Sequence, residues 1–296
     1  MKRSTVILGV VFLVLLALAF LVLQKPGEQS RSSAATGVLL QIDSLAVDRI
    51  ELKSPTGHIA LEKKGAEWYV TQPLLSHADQ AAVASLIGVC RDLRSTGVVS
   101  SRPDKRGIFQ VDSTGTRVTV YEKGAPVASF VVGKAGSTYS DTYVRLAGSN
   151  DVVLVSGLPG DRMNRPLRDW RDRTITKIPR ESIKEIGYQY GDTAFVAALK
   201  DSVWMIGRDK VQPSVINGVL NTLSSLQADD FADSVAVAPK VTAQIAVGAE
   251  QVRFAFRKET GKYLVQASSS PQWYVVESWR ANDVLKRKKD LVGTAR

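Results

Sequence analysis

The chain has 296 residues, enough for one large domain or two ordinary ones, and with 44% apolar residues it can bury a substantial core. Thirty-nine basic residues against 29 acidic ones leave a net charge of +10, which suits an anionic lipid, an acidic partner or solubility alone. A single cysteine, Cys90, excludes an intramolecular disulfide, so the fold must rest on its core.

Val6–Leu23, VILGVVFLVLLALAFLVL, contains no charged or polar side chain. At about 1.5 Å of rise per residue it nearly crosses a hydrocarbon core roughly 30 Å thick. A cleaved signal would carry about 7–15 apolar residues and a small-x-small site. This run is longer, and Gln24-Lys25-Pro26-Gly27-Glu28 is a poor cleavage context. A core helix would be amphipathic, whereas this one is apolar all round. Residues 1–23 therefore read as a transmembrane anchor. Lys2 and Arg3 favour a cytoplasmic N-terminus, which makes this a single-pass inner-membrane protein with its bulk on the periplasmic side. That location argues against a nucleic-acid partner. Residues 24–42, small and polar over Gln24–Thr36, read as a linker.

From Val47 the pattern is β: Val47, Ile50 and Leu52, a turn at Pro55-Thr56-Gly57, Ile59 and Leu61, a turn at Lys64-Gly65, then Trp68-Tyr69-Val70 before Pro73. Asp79 is a good N-cap, and Val83, Leu86, Ile87, Cys90 and Leu93 follow helical spacing until Gly97. Cys90 lies on the apolar face and reads as a buried, inert thiol. Gly88 inside the helix costs about 1 kcal/mol relative to Ala, which points to close packing there. Strands follow at Arg117–Tyr121, Val127–Val132, Thr142–Leu146 and Val152–Val155, and a basic stretch, DRMNRPLRDWRDR, runs from Asp161 to Arg173. The same order then recurs. Three strands around Ile183–Tyr188, Ala194–Leu199 and Val203–Ile206 precede a helix carrying Ile216, Val219, Leu220, Leu223 and Leu226. Four strands (Val241–Val247, Val252–Phe256, Tyr263–Ala267, Trp273–Val276) and a basic segment at Leu285–Asp290 complete it.

This recurrence predicts an internal duplication. Ile50 matches Ile186 and Trp68 matches Trp204; in the helices Ile87, Cys90 and Leu93 match Leu220, Leu223 and Leu226. Tyr143 is matched with Tyr263, and Leu167, Arg168, Arg171 and Asp172 with Leu285, Lys286, Lys289 and Asp290. The expected fold is α+β, with two similar domains over residues 43–175 and 176–296, mainly antiparallel sheets each packed under one helix.

The chain resembles a membrane-anchored family of unknown function whose members often accompany ABC-transporter components associated with gliding motility. The residues that carry the resemblance are the anchor, Glu67-Trp68-Tyr69-Val70 before Pro73, Ala78-Asp79, Val131-Val132-Gly133-Lys134, Tyr143-Val144 and Leu167-Arg168-Asp169. It covers most of Val47–Ile175. The second copy lacks the Gly-Lys turn and a Leu-Arg-Asp. The resemblance implies an envelope protein working beside a transporter and supplies no catalytic residues.

His58 and His77 are the only histidines, and neither has a carboxylate or thiol at metal-ligand spacing. No GxSxG, Walker, GxGxxG or HExxH motif occurs, so an ABC ATPase is excluded for this chain. Asp229, Asp230 and Asp233 read as a solvated loop after the second helix. No catalytic, cofactor or metal residue is therefore expected. The best candidates for contact with a partner or anion are Arg162, Arg165, Arg168, Trp170 and Arg171. On a helix, arginines three apart would sweep around one side, and their forks suit phosphate or carboxylate. The competing reading pairs them with Asp161, Asp169 and Asp172 as a purely structural joint. The function expected is a non-catalytic scaffold or accessory subunit beside an ABC-type transporter. A module binding an anionic lipid headgroup or acidic glycan is the first alternative, and a hydrolase the second.

Overall fold

Short alternating strands and tight turns can satisfy their backbone groups by pairing with the strand before and after, and both halves of the chain do so. The computed structural model describes residues 37–138, 140–158, 162–191, 193–234 and 238–293. The anchor at Val6–Leu23 lies outside them; among the described residues no helix is long and apolar enough to cross a membrane. The chain divides after Trp170 into two compact units, a few residues before the boundary at Ile175 expected from the sequence.

The first unit contains β1 (Gly37–Val38), β2 (Val47–Ser54), β3 (Gly57–Lys64), β4 (Glu67–Gln72), β5 (Ser76–His77), α1 (Gln80–Arg91), β6 (Arg94–Ser100), a 3-10 turn at Pro103–Phe109, β7 (Thr116–Glu122), β8 (Ala125–Ala135), β9 (Asp141–Leu146) and β10 (Val152–Ser156). All pairings are antiparallel, in the order β1-β6-β10-β9-β8-β7-β2-β3-β4-β5. The helix starts where expected: the Asp79 carboxylate accepts from the Ala82 N–H at 2.9 Å. It ends at Arg91, earlier than expected. Leu93 is core all the same, because the chain turns directly into β6 beneath the helix. The folded unit also begins earlier than the linker boundary at residue 42. Gly37 and Val38 pair with Ser95 and Arg94, and Leu40 is buried.

The second unit contains β11 (Glu185–Tyr190), β12 (Thr193–Lys200), β13 (Val203–Ile206), β14 (Asp209–Lys210), α2 (Pro213–Ser224), β15 (Asp230–Phe231), β16 (Ala243–Val247), β17 (Glu250–Arg257), β18 (Lys262–Ala267), β19 (Tyr274–Val276), α3 (Ser278–Val284) and α4 (Lys288–Val292). It thus carries three helices where one was expected. Its sheet order is β14-β13-β12-β11-β16-β17-β18-β19-β15. Read in reverse and numbered from each unit's own first hairpin, this is the order β6 to β5 of the first unit, strand for strand.

The registers agree residue by residue. Trp68 sits opposite Lys63 as Trp204 sits opposite Leu199, and Ile50 opposite Leu61 as Ile186 opposite Ala197. Followed strand by strand, the ladders place Val144, between Val132 and Val153, at the position of Val265, between Phe254 and Tyr274. The separation is therefore 121 (265 − 144), and the counterpart of Tyr143 is Leu264, not Tyr263. The slip matters because one residue reverses the face a strand side chain occupies. The basic segments shift likewise. The Asp79 N–H donates to the Trp170 carbonyl at 2.9 Å, and the Gln212 N–H to the Leu291 carbonyl at 2.8 Å. Trp170 thus corresponds to Leu291, again 121 apart (291 − 170), which displaces the match of Leu167 with Leu285 by three.

Each sheet packs one face against its helix. In the first unit Val83, Leu86 and Cys90 of α1 meet Ile50, Leu61, Val70, Val118, Phe130 and Val144. Burial pushes the Cys90 thiol up to about 12, which keeps it protonated and unreactive at neutral pH. A smaller cluster on the opposite face joins Val111, Val131 and Val152 with Phe109 and Tyr143. Gly133 and Lys134, expected in a turn, lie inside β8, and the glycine there has a steric reason: a Cβ on Gly133 would lie 2.1 Å from the Phe109 carbonyl oxygen, and one on Gly115 2.2 Å from that of Gln110. The loop backbone lies directly on the two glycines, and Arg145, itself buried, donates to the Val111 carbonyl at 2.9 Å. Gly133→Ala should cost at least about 1–3 kcal/mol, since the obstruction is backbone rather than a movable side chain. Urea denaturation with Gly218→Ala, where a Cβ on α2 would meet nothing within 4 Å, as the comparison reads this out.

Candidate functional site

The basic stretch after β10 does not form one helix. Among its described residues Leu167–Trp170 makes a 3-10 turn and no continuous helix joins Arg162 to Arg171, so arginines three apart do not share a stripe. Arg162 is exposed, Arg165 stacks 5.5 Å from the centre of the Trp170 ring, and Arg168 lies 3.7 Å from Asp169. Trp170 is 1% exposed, part of the first core. Arg171 belongs to the second unit, where its buried guanidinium grips Asp233 through two hydrogen bonds, at 2.6 and 2.9 Å, and lies 3.5 Å over the Phe231 ring. The stretch thus separates into Arg162, Arg165, Arg168 and Trp170 on one unit and Arg171 on the other.

Of the acids expected as partners, Asp169 pairs with Arg168, Asp161 lies outside the described residues, and Arg171 takes an acid that was not expected. Asp172 caps the Thr174 N–H at 2.9 Å, while Asp233 holds Arg171. Asp229 receives Arg280 at 3.0 Å and the Glu277 N–H at 2.8 Å, and Asp230 sits in β15. The three aspartates therefore order the edge of the second sheet and are not a loose loop. Sequence reasoning missed this because their arginines lie about 50–60 residues away along the chain. The second basic segment also serves its own unit: the Lys286 carbonyl accepts from the Tyr190 hydroxyl at 2.8 Å, Arg287 stacks 3.8 Å over the Tyr190 ring, and Lys288 pairs with Asp209 at 2.9 Å.

Arg162 and Arg165 border a groove beside α1. A cavity of about 290 Å³ is lined by Ser85, Gly88, Val89, Asp92, Leu158 and Arg162 among others. A Cβ on Gly88 would meet nothing within 4 Å, so this glycine opens the floor of the groove and does not mark close packing. A smaller cavity of about 10 Å³ adjoins Ser85, Val89, Arg162, Met163, Arg165 and Trp170.

The outer face of the first sheet is charged. Glu51, 5% exposed, receives Arg49 and Lys53, with the His58 Nε2 3.7 Å away. Burial raises the Glu51 carboxyl, but the hydrogen bond from Lys53 and the charge and hydrogen bond of Arg49 outweigh it and hold it below the usual carboxylate range. His77, in β5 just before α1, packs against Tyr69 with Glu67 3.5 Å away. At the ladder positions of Glu51, Lys53, His58, Glu62, Arg117 and Thr119, the second unit carries Gly187, Gln189, Ala194, Ala198, Gln244 and Ala246. A shallow depression of about 340 Å³ lies among these small residues, beside Val196, which is 45% exposed. Among the described residues no group of three His, Cys, Asp or Glu is placed to hold a metal ion.

No curated protein and no solved structure matches the chain. One family model does, over residues 68–245, which is more than half of the chain and runs from Trp68 through the basic stretch into β16. The chain therefore belongs to the family described as a domain of unknown function, DUF4340.

Proposed function

We propose that this protein is a non-catalytic scaffold of the cell envelope, anchored through Val6–Leu23 and working beside an ABC-type transporter. One observation carries the scaffold reading: a frame used twice, with the same strand order and register, presents two outer sheet faces of opposite chemistry. The helices pack into the inner cores, α1 in the first unit and α2, α3 and α4 in the second. The first outer face is studded with Glu51, Lys53, His58 and Arg117, and the second carries the uncharged Gly187, Gln189, Ala194 and Gln244 at the matching places, with Val196 and Ala246 beside them. Duplication followed by divergence of surface, with cores retained, supports a protein that holds two unlike partners. The transporter connection rests on the family resemblance and the membrane location on the length of the apolar run.

The test is purification of the full-length protein from detergent-solubilised membranes at high salt. Transporter subunits should copurify, and Val196→Glu with Ala246→Glu should release a partner while leaving the melting temperature within a few degrees. Recovery of the protein alone, or a complex unaffected by substitutions on either face, would exclude the reading.

A further inference from the structure

We propose that the groove beside α1 in the first unit is a binding site for a phosphate-bearing ligand, with Arg162 and Arg165 as its cationic walls and the Trp170 indole N–H as its inner donor. Three observations meet there. The groove is open, with about 290 Å³ of space over a floor that Gly88 leaves bare. Arg162 and Arg165 both border its narrow inner end, and among the described residues neither is bonded to a carboxylate. Trp170 borders the same end; its ring is 1% exposed, and its Nε1 is buried with no hydrogen-bond acceptor among the described residues.

A buried indole N–H without a partner is costly, and such groups almost always find one. The cavity beside it, about 10 Å³, is near the lower limit for a single water, and two guanidinium groups at its border raise the potential felt by any acceptor placed there. An anionic oxygen answers all three groups at once: it accepts from the indole and offers arginine the forked, charge-assisted geometry it favours. The tetrahedral phosphate has oxygens to spare for the exposed Ser85 hydroxyl on α1, which lines both cavities.

The second unit is an internal control. Counting back from the Trp170–Leu291 equivalence, Asp283 stands at the position of Arg162, and the apolar Leu291 replaces the indole. Arg180 lies across α2 and is held by Asn217 and Asn221, the latter at the position of Gly88. By the same count Lys286 stands at the position of Arg165, so the frame there keeps one cation but has an acid in place of Arg162 and no indole donor, and its helix surface is already occupied. The site is thus an acquisition of the first copy and independent of the scaffold reading.

The experiment titrates the full-length protein in detergent with inorganic phosphate and, separately, with a short-chain phosphatidylglycerol, using calorimetry. Binding of phosphate itself identifies a free anion as ligand; binding of the lipid alone identifies a headgroup, and either supports the site. Arg162→Gln and Arg165→Gln should each weaken binding about 10-fold or more, as expected for losing a charged hydrogen bond. Trp170→Phe, which keeps the ring and deletes the donor, should weaken it about 2–10-fold. Arg208→Gln, on an exposed turn of the second unit, should change nothing. Arg162 is exposed, so its variant will fold even where Trp170→Phe does not. Failure of both ligands to bind, or binding unchanged in Arg162→Gln, overturns the proposal.

Discussion

Trp68→Ala is expected to destabilise the first unit by about 3–5 kcal/mol and Trp204→Ala to cost the second distinctly less. The two tryptophans occupy the same ladder position, yet Trp68 is 8% exposed and inside its core, whereas Trp204 is only partly buried at the margin of its own. Trp68 is also locked to the helix start: its N–H donates to the Gln80 Oε1 at 2.9 Å, and the Gln80 amide donates back to its carbonyl at 3.0 Å. The hydrophobic cores are drawn separately, the first from residues up to Trp170 and the second from Ile175 onward. Damage should therefore stay within the mutated unit. Limited proteolysis of the full-length protein reads this directly, with cuts in Trp68→Ala appearing first before residue 170. Equal sensitivity of both units to either substitution would contradict separate cores.

Asp233→Ala should be more harmful to the second unit than Arg171→Met, although both break the same ion pair. The Arg171 side chain is 3% exposed and that of Asp233 is 43% exposed. Removing the acid strands a buried guanidinium whose remaining support is Gln272 at 3.4 Å and the Phe231 ring, a loss of about 3 kcal/mol or more. Replacing the arginine with an apolar chain of similar length leaves only an acid that water can reach, so a cost under about 1.5 kcal/mol is expected. Urea melts of the two variants separate these values. A larger loss for Arg171→Met would mean that the cation supports the fold through the Phe231 contact rather than through its acid.

Alternation and turn chemistry made most strands legible. Val47 to Val70, Arg117 to Val155 and Ile183 to Ile206 read correctly because one face of each strand is apolar and each hairpin ends in a residue suited to a tight turn. The repeated order of strands was visible for the same reason. Its register after the helix was not, because a Tyr-for-Tyr match in β9 and β18 outweighed the unmarked valines, Val144 and Val265, that carry the ladder. β6 and β15 were invisible. Arg94–Ser100 is polar and Gly-containing, and Asp230-Phe231 is too short for a period; pairing with β10 and β19 makes them strands. The candidate residues were found by composition, but their partition was not legible. Whether a given arginine serves the first unit, the second or a ligand depends on contacts made dozens of residues away.

The bond from each helix start to the last turn of its unit has a consequence for how the chain is made. The peptide that completes the α1 entrance is Trp170, and the one that completes the α2 entrance is Leu291. A chain emerging from its N-terminus can zip β2–β4 early, but the helix entrance waits for a partner some 90 residues downstream in the first unit and nearly 80 in the second (170 − 79 and 291 − 212). Trp170 is made before β11 begins at Glu185, so the first unit can close its helix entrance before the second repeats the order of its strands. Repeats of like topology are prone to exchange strands while both are incomplete. Placing the closing peptide ahead of the second set of strands shortens the time open to such an exchange.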